Sequence, residues 1–363
     1  MKNTISFFIF FCFGIITYGQ YVDVTDHGVY PFANPNQPQS VDQSDDIQRI
    51  IDDNPNRTIF FPAGKYIVKK VIEINHSIEI VGEGAGNTTF QPRNSNGFFI
   101  NSRNVTIKDM LVLGQAKDLN SYTGIYVSGK ANNRLANIKL ESLKIQNVKI
   151  GVELKYTDNS IIDKVKILIN EDDTLAENPW ISQGIRFYGF CVNNQISNSY
   201  IRGESFAIGI IRDLNSHKAE GLMISNSFLG TGTYGIYSEG ILSMNVSNCT
   251  IDLTKRTAIE VKDTDGMLLS NNWIASESTE NHPIIKLIGS VNSHISNNTI
   301  LCAKDRNNNV GVSFEINSSN NATSNNNTVI GNTMKGTNMV YKTRTYGGAN
   351  NIVVYNLCST CID

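Results

Sequence analysis

Between Gly184 and Leu287 one short strand pattern is written five times, as Gly184-Ile185-Arg186-Phe187-Tyr188, Ala207-Ile208-Gly209-Ile210-Ile211, Gly235-Ile236-Tyr237-Ser238-Glu239, Ala258-Ile259-Glu260-Val261-Lys262 and Ile284-Ile285-Lys286-Leu287-Ile288. Each copy opens on a small or apolar residue and then alternates apolar with variable positions, the two-residue period of a strand with one buried face. Between the copies stands a second phrase, Ile196-Ser197-Asn198, Ile224-Ser225-Asn226, Val246-Ser247-Asn248, Leu269-Ser270-Asn271 and Ile295-Ser296-Asn297, at intervals of 28, 22, 23 and 26 residues. Self-similarity at that interval belongs to solenoids. One coil cannot bury its own apolar face, so coils stack, and crossovers between parallel strands are overwhelmingly right-handed. The expected fold is therefore all-β, a right-handed parallel β-helix.

Further copies at Phe98-Phe99, Gly124-Ile125-Tyr126-Val127, Gly151-Val152-Glu153-Leu154, Gly311-Val312-Ser313-Phe314 and Met339-Val340-Tyr341 bring the count to about ten coils. At about 4.8 Å per coil this makes a rod on the order of 50 Å. A chain of 363 residues would ordinarily suggest two domains, but a repeat grows in one dimension and one elongated domain over residues 57–363 fits better. The abundant asparagine after residue 190 falls regularly behind an apolar residue. Such positions suit turns, where Asn tolerates a left-handed backbone and stacks in ladders.

Lys2, the apolar run Ile5 to Ile16 and then Thr17-Tyr18-Gly19 predict a secretory signal peptide over residues 1–19, so a secreted or periplasmic protein is expected. No later run is apolar for long enough to span a membrane. A net charge of -2 argues neither for nucleic acid nor for an anionic membrane surface as partner, and no nucleic acid is expected. Cys12 falls in the leader; of Cys191, Cys249, Cys302, Cys358 and Cys361, the Cys358-Ser359-Thr360-Cys361 pair reads as structural, a local disulfide or nothing, with a metal or redox pair as the alternative, and an odd count leaves a thiol over. Both a monomer and a trimer are compatible with such a rod.

Residues 20–56 read as an N-terminal extension ending in a capping helix. Ser44-Asp45-Asp46-Ile47-Gln48-Arg49-Ile50-Ile51 carries an N-cap serine, acids in the first turn and apolar residues on one face. Thr58-Ile59-Phe60-Phe61 follows as a strand, then Pro62-Ala63-Gly64 as a turn and Tyr66-Ile67-Val68 as another strand. The acidic pair with Ile47-Gln48, the strand, the Pro62-Ala63-Gly64-Lys65-Tyr66 turn and Ile80-Val81-Gly82-Glu83-Gly84 together resemble the N-terminal portion of the pectate-lyase-like superfamily of right-handed parallel β-helices. That superfamily includes pectin-cleaving lyases, polygalacturonase-like hydrolases, carrageenan hydrolases and phage tailspikes. The resemblance covers nearly all of the mature chain and implies a carbohydrate partner, but its motifs build the first coils and fix no reaction.

Aligning the strand copies sorts their side chains. Ile125, Val152, Ile185, Ile208, Ile236, Ile259, Ile285 and Val312 form the inward stack. One outward row reads Tyr126, Glu153, Arg186, Gly209, Tyr237, Glu260, Lys286, Ser313 and Tyr341, and a second reads Ser128, Lys155, Tyr188, Ile211, Glu239, Lys262, Ile288, Glu315 and Thr343. On this face Arg186, Lys262, Lys286, Glu239 and Glu260 are the candidate catalytic residues, with Tyr188, Tyr237 and the bare position at Gly209 as candidates for binding a sugar. Aromatic faces take the apolar side of a sugar ring while charges fix its hydroxyls and carboxylates. The competing explanation is structural: Glu239 beside Lys262, and Glu260 beside Lys286, are cross-strand ion pairs that a solvated sheet uses for modest stability.

Three functions follow. β-Elimination on an acidic, uronate-containing or sulfated, polysaccharide needs a cation for the substrate carboxylate and a base for the C5 proton, drawn from Arg186, Lys262, Lys286, Tyr188 and Tyr237; a neighbouring Glu239 weighs against Lys262 as the base. Glycoside hydrolysis needs two carboxyl groups, and Glu239 with Glu260 would supply them. A non-catalytic glycan-binding or structural β-helix is the third. The paired acids that polygalacturonases carry just before the strand are replaced by Thr233-Tyr234, Arg256-Thr257 and His282-Pro283, and the Gly-His-Gly turn is missing, which tilts the expectation toward elimination. Calcium is the one cofactor considered, at Asp263-Thr264-Asp265-Gly266, a turn that needs no metal to explain it. His27, His76, His217, His282 and His294 are scattered without ligand spacing. The loops 170–180 and 212–220 are the alternative location for the site.

Overall fold

A computed structural model describes residues 21–32, 41–114, 122–169, 182–278, 280–302, 310–336, 341–345 and 348–358. The predicted leader, the loop 170–180, Cys361 and the strand residues Met339 and Val340 lie outside the described residues. The chain winds as a parallel β-solenoid of about ten turns in which each coil contributes one strand to each of three long sheets, of 13, 11 and 12 strands. Sheet I runs from Tyr21–Asp23 to Ile352–Val354, sheet II from Ile72–Ile74 to Tyr341–Thr345, and sheet III from Gly64–Val68 to Leu357–Cys358. The strand pairs in these sheets are parallel, and register carries from one coil to the next apart from a shift between Ile251 and Thr254 where Thr250–Thr254 meets Trp273–Ser276.

The inward row is as expected, with Ile125, Val152, Ile185, Ile208, Ile236, Ile259, Ile285 and Val312 all 0% exposed. Register is settled because a one-residue slip would turn this whole row to solvent. The five asparagines of the repeated phrase, Asn198, Asn226, Asn248, Asn271 and Asn297, all adopt positive φ between 50° and 57°. The stacking ladder uses the next residue instead. Asn272 N–H donates to Asn298 Oδ1 and Asn298 N–H to Asn332 Oδ1, each at 2.9 Å. Side-chain amides thereby satisfy backbone groups buried in the corner between sheets I and III.

The helix spans Ser44–Asp53, and Ile47, Ile50 and Ile51 sink into the core with Val22 and Val24. Its start differs from the expectation: Gln43 holds the N-cap position, its side chain bonding Tyr30 O and Ile67 N rather than capping the helix, and the Ser44 N–H donates to Asp42 Oδ1 at 3.0 Å. Gln48 completes the helix's contact with sheet II, its amide bonding Glu73 O at 2.9 Å and its carbonyl oxygen accepting from Glu73 N at 2.8 Å. The extension is also less irregular than the sequence suggests, since Tyr21–Asp23 pairs with Thr58–Phe61 and starts sheet I. At the other end the register differs from the expectation: Ser313 pairs with Arg344, and Tyr341 pairs with Val310. Among the described residues no helix is long and apolar enough to cross a membrane. Cys358 is disulfide-bonded, and Cys191 and Cys249 are buried thiols.

Candidate functional site

The outward face of sheet II carries the predicted residues in the predicted rows. Glu153, Arg186, Gly209, Tyr237, Glu260 and Lys286 are successive register partners. Their side chains do not form one cluster. Arg186 Nη2 bonds Glu153 Oε2 at 2.7 Å and its Nη1 reaches Gln183 Oε1 at 3.3 Å. Glu153 is buried, so this pair is partly desolvated and structurally committed. Tyr188 lies beneath the Lys155 ammonium, 5.3 Å from its ring centroid, and meets Tyr156 edge-on.

Gly209 is not a bare subsite. The ring of Phe206, three residues earlier on the same strand, lies where a side chain at 209 would stand, with Cε2 only 2.2 Å from the position of a Cβ. Phe206 is buried and stacks near-parallel to Tyr237 at 6.3 Å. Glycine is needed here because the ring fills the space, so the position separates two halves of the face instead of opening a gap between them.

Beyond this divide four predicted residues converge. Lys262 Nζ donates to Tyr237 Oη at 2.9 Å and lies 3.6 Å from Glu260 Oε1. Tyr237 Oη donates in turn to Glu239 Oε1 at 3.1 Å. The result is a chain Glu260–Lys262–Tyr237–Glu239 across adjacent coils, with Tyr234 packed 5.3 Å from the Tyr237 ring. Burial, then the charge of Glu239 and the bond to it, then Glu260, push the Tyr237 phenol well above its ordinary range. Burial and the charge of Glu260 push Tyr234 up as well. Tyr237 is a donor here, and with both phenols pushed up neither is placed to act as a phenolate base.

The expected cross-strand ion pairs are redrawn. Lys262 pairs with Glu260 on its own strand and Lys286 with Glu315 at 3.2 Å on the following coil, while Glu239 takes the Tyr237 hydroxyl and the Arg212 N–H at 3.3 Å. Register fixes which residues are neighbours, but a long side chain chooses among several acids within reach. Glu153, Glu315, Phe206 and Tyr234 are the partners that the selection of site residues missed, although Glu153 and Glu315 were visible in the outward rows. The Asp263 to Gly266 turn also has protein partners: Asp263 accepts from the Asn317 and Asn320 amides and Asp265 from Asn292. Among the described residues no group of three or more His, Cys, Asp or Glu side chains is placed to hold a metal ion.

A loop over residues 212–218 walls this half of the face. Its first residue leaves the strand Phe206–Ile211, Asp213 accepts a short hydrogen bond from the Tyr156 hydroxyl, and Lys218 Nζ donates to Asp263 O at 2.6 Å. The bond from Tyr156, then that from the Asn215 N–H, hold the Asp213 carboxyl below its usual value.

A family model described as rhamnogalacturonase A/epimerase, pectate lyase-like, matches residues 24–282. Among solved structures, the A-module of a mannuronan C-5 epimerase of Azotobacter vinelandii aligns with a TM-score of 0.69 at 15% identity, covering 93% of this chain and 99% of that one. The catalytic unit of a thermostable GH87 alpha-1,3-glucanase from Streptomyces thermodiastaticus aligns at 0.66 and 14% identity, covering 94% and 70%. A DFA-IIIase from Arthrobacter chlorophenolicus aligns at 0.65 and 12% identity, covering 87% and 84%. At such identities the likeness is one of fold. No curated protein matches the sequence.

Proposed function

The chain belongs to the rhamnogalacturonase A/epimerase, pectate-lyase-like family of carbohydrate-active β-helices, and from that premise we propose that it is an exported enzyme that cleaves an acidic polysaccharide on the outward face of sheet II. The observation that carries this is the chain Glu260–Lys262–Tyr237–Glu239, two carboxyl groups on neighbouring coils joined through a phenol and an ammonium. Glycoside hydrolysis uses two such groups, one to protonate the leaving oxygen and one either to attack the anomeric carbon or to take the proton of the water that does. Glu239 and Glu260 supply the two carboxyl groups on neighbouring coils. Tyr237 and Tyr234 offer ring faces at the same place.

This geometry moves the balance from β-elimination, to which the sequence pattern leans, toward hydrolysis. Elimination needs a base for the C5 proton, and the Tyr237 phenol is held protonated by burial and two carboxylates while Lys262 is engaged by both Tyr237 and Glu260. Elimination stays as a second reading because Lys262 places a cation 2.9 Å from a tyrosine hydroxyl, the pairing a uronate substrate would use.

Incubation with a panel of uronate-containing, sulfated and neutral polysaccharides is the test. Reducing ends without ultraviolet absorbance from unsaturated products are expected for hydrolysis. Both signals together would mean elimination, and binding with neither would leave a glycan-binding β-helix and overturn the proposal.

A further inference from the structure

The cations expected to recognise an acidic substrate are already neutralised within the protein: Arg186 by Glu153, Lys262 by Glu260 and Lys286 by Glu315. Arg212 differs. Its backbone N–H donates to Glu239 Oε2, but among the described residues its guanidinium has no carboxylate partner; its Nε, like that of Arg186, is buried without a hydrogen bond, so the missing acid is what sets it apart. A buried guanidinium nitrogen without an acceptor is costly, and such a group in a folded protein calls for an explanation.

Gly240 lies beside this side chain. Gly240 follows Glu239 directly and has φ 144°, and a Cβ there would come 3.7 Å from Arg212 Cδ and 3.5 Å from Lys218 Cγ. Two cationic stems therefore lie across a position without a side chain, at the flank of Glu239. Lys218 spends its ammonium on Asp263 O, and Asp213, the acid next to Arg212, is taken by Tyr156 and the Asn215 N–H. The loop is pinned at both ends while the guanidinium between them is left without an acid.

We propose that Arg212 is the anion-recognising residue of the face and takes a carboxylate or sulfate ester of the sugar bound beside Glu239. A planar fork of N–H donors fits either oxyanion in a bidentate manner, which an ammonium does not. The assignment rests on the polysaccharide-cleaving function proposed above and adds to it the group that selects an acidic sugar.

The test uses the full exported chain with oligogalacturonate, its methyl ester and a sulfated galactan, measuring both binding by calorimetry and turnover. Arg212→Gln is expected to weaken binding of the recognised anion about 10- to 100-fold and to erase the preference for charged over esterified or unsulfated substrate by a similar factor. Arg212→Lys should recover part of that loss, and the wild-type interaction should weaken with salt. Loss confined to oligogalacturonate identifies a uronate as the natural group, and loss confined to the galactan identifies a sulfate ester. Melting of Arg212→Gln should match wild type, since the guanidinium has no internal acid to abandon. Undiminished binding and preference in Arg212→Gln would overturn the assignment while leaving cleavage at the Glu239 and Glu260 pair intact. Binding that depends on Arg212 without any turnover would keep the assignment and remove the enzymatic function. A wild-type protein that binds neither anion overturns both.

Discussion

The two halves of the sheet II face, divided at Gly209, draw on the same residue types and put them to different use. In the first half Arg186 closes on Glu153 and Gln183, and Lys155 covers Tyr188. In the second half the carboxylates are joined by a tyrosine and a lysine, and the neighbouring loop brings up an arginine that lacks an acid among the described residues. Composition alone does not separate a stabilising patch from a reactive one. What separates them is whether each charge has spent its partners inside the fold.

The largest effect expected from this contrast is on turnover. Glu239→Gln and Glu260→Gln should each lower kcat by about 10²- to 10⁴-fold, the usual worth of a positioned acid or base, with the fold retained. Glu153→Gln in the first half should keep kcat within a few-fold. Steady-state rates on the polysaccharide that wild type cleaves check the pair, and equal losses in both halves would erase the distinction between them.

Next comes stability, where the order of the halves reverses. Arg186→Ala leaves the buried Glu153 without its cation and should cost about 1–3 kcal/mol in chemical denaturation. The simple expectation for an outward side chain on a solvated sheet is a small loss, and the burial of Glu153 is what changes it. Restoring stability with Glu153→Gln in the Arg186→Ala background would locate the cost in the unpaired carboxylate.

The boundary itself offers a third measurement. In Gly209→Ala the new methyl group would enter the Phe206 ring, which must rotate and take its stack on Tyr237 with it. Overpacking of this kind costs about 1–3 kcal/mol, and the flexible ring places this substitution at the lower end. A fall in activity alongside the fall in melting temperature would show that Phe206 holds Tyr237 in position. A variant as stable as wild type would mean that the ring has room elsewhere.

How much of this was legible in the sequence follows from what fixes each feature. The solenoid, the inward isoleucine row and the left-handed asparagines were legible because burial and backbone sterics act on each residue locally and repeat every coil. The outward rows were legible for the same reason, up to the last coil, where the strand starts later than expected and Arg344, not Tyr341, is the register partner of Ser313. Side-chain partnerships were not. Lys286 reaches Glu315 in preference to Glu260, its register partner, because four rotatable methylenes span either distance. Nor was the filling of Gly209, since Phe206 folds back along its own strand, a choice of rotamer that periodicity does not encode. Arg212 sat in a loop region that was flagged only as an alternative, and its importance rests on a missing partner, which no sequence pattern displays.

The smallest expected effect tests whether the two halves are coupled. The loop over residues 212–218 is tied to the first half by the Tyr156 hydroxyl on Asp213 and to the second by Lys218 on Asp263. Burial, and then the bond to Asp213, raise the Tyr156 phenol from 10.0 to about 12. A raised folded value means that this link contributes stability fully below pH 10.0 and loses it as pH climbs through about 12. On the acid side the Asp213 carboxyl is depressed, first by the Tyr156 bond, so its contribution is present above 3.8 and is lost as pH falls through the lower folded value. Tyr156→Phe should therefore melt slightly below wild type at neutral pH, and the two curves should meet at both extremes. Because Asp213 adjoins Arg212, releasing this anchor should raise KM for the charged polysaccharide more than it lowers kcat. A variant with a lower melting temperature and unchanged KM would mean that the loop reports to the first half only, and that Arg212 is held by Gly240 and Lys218 without help from Tyr156.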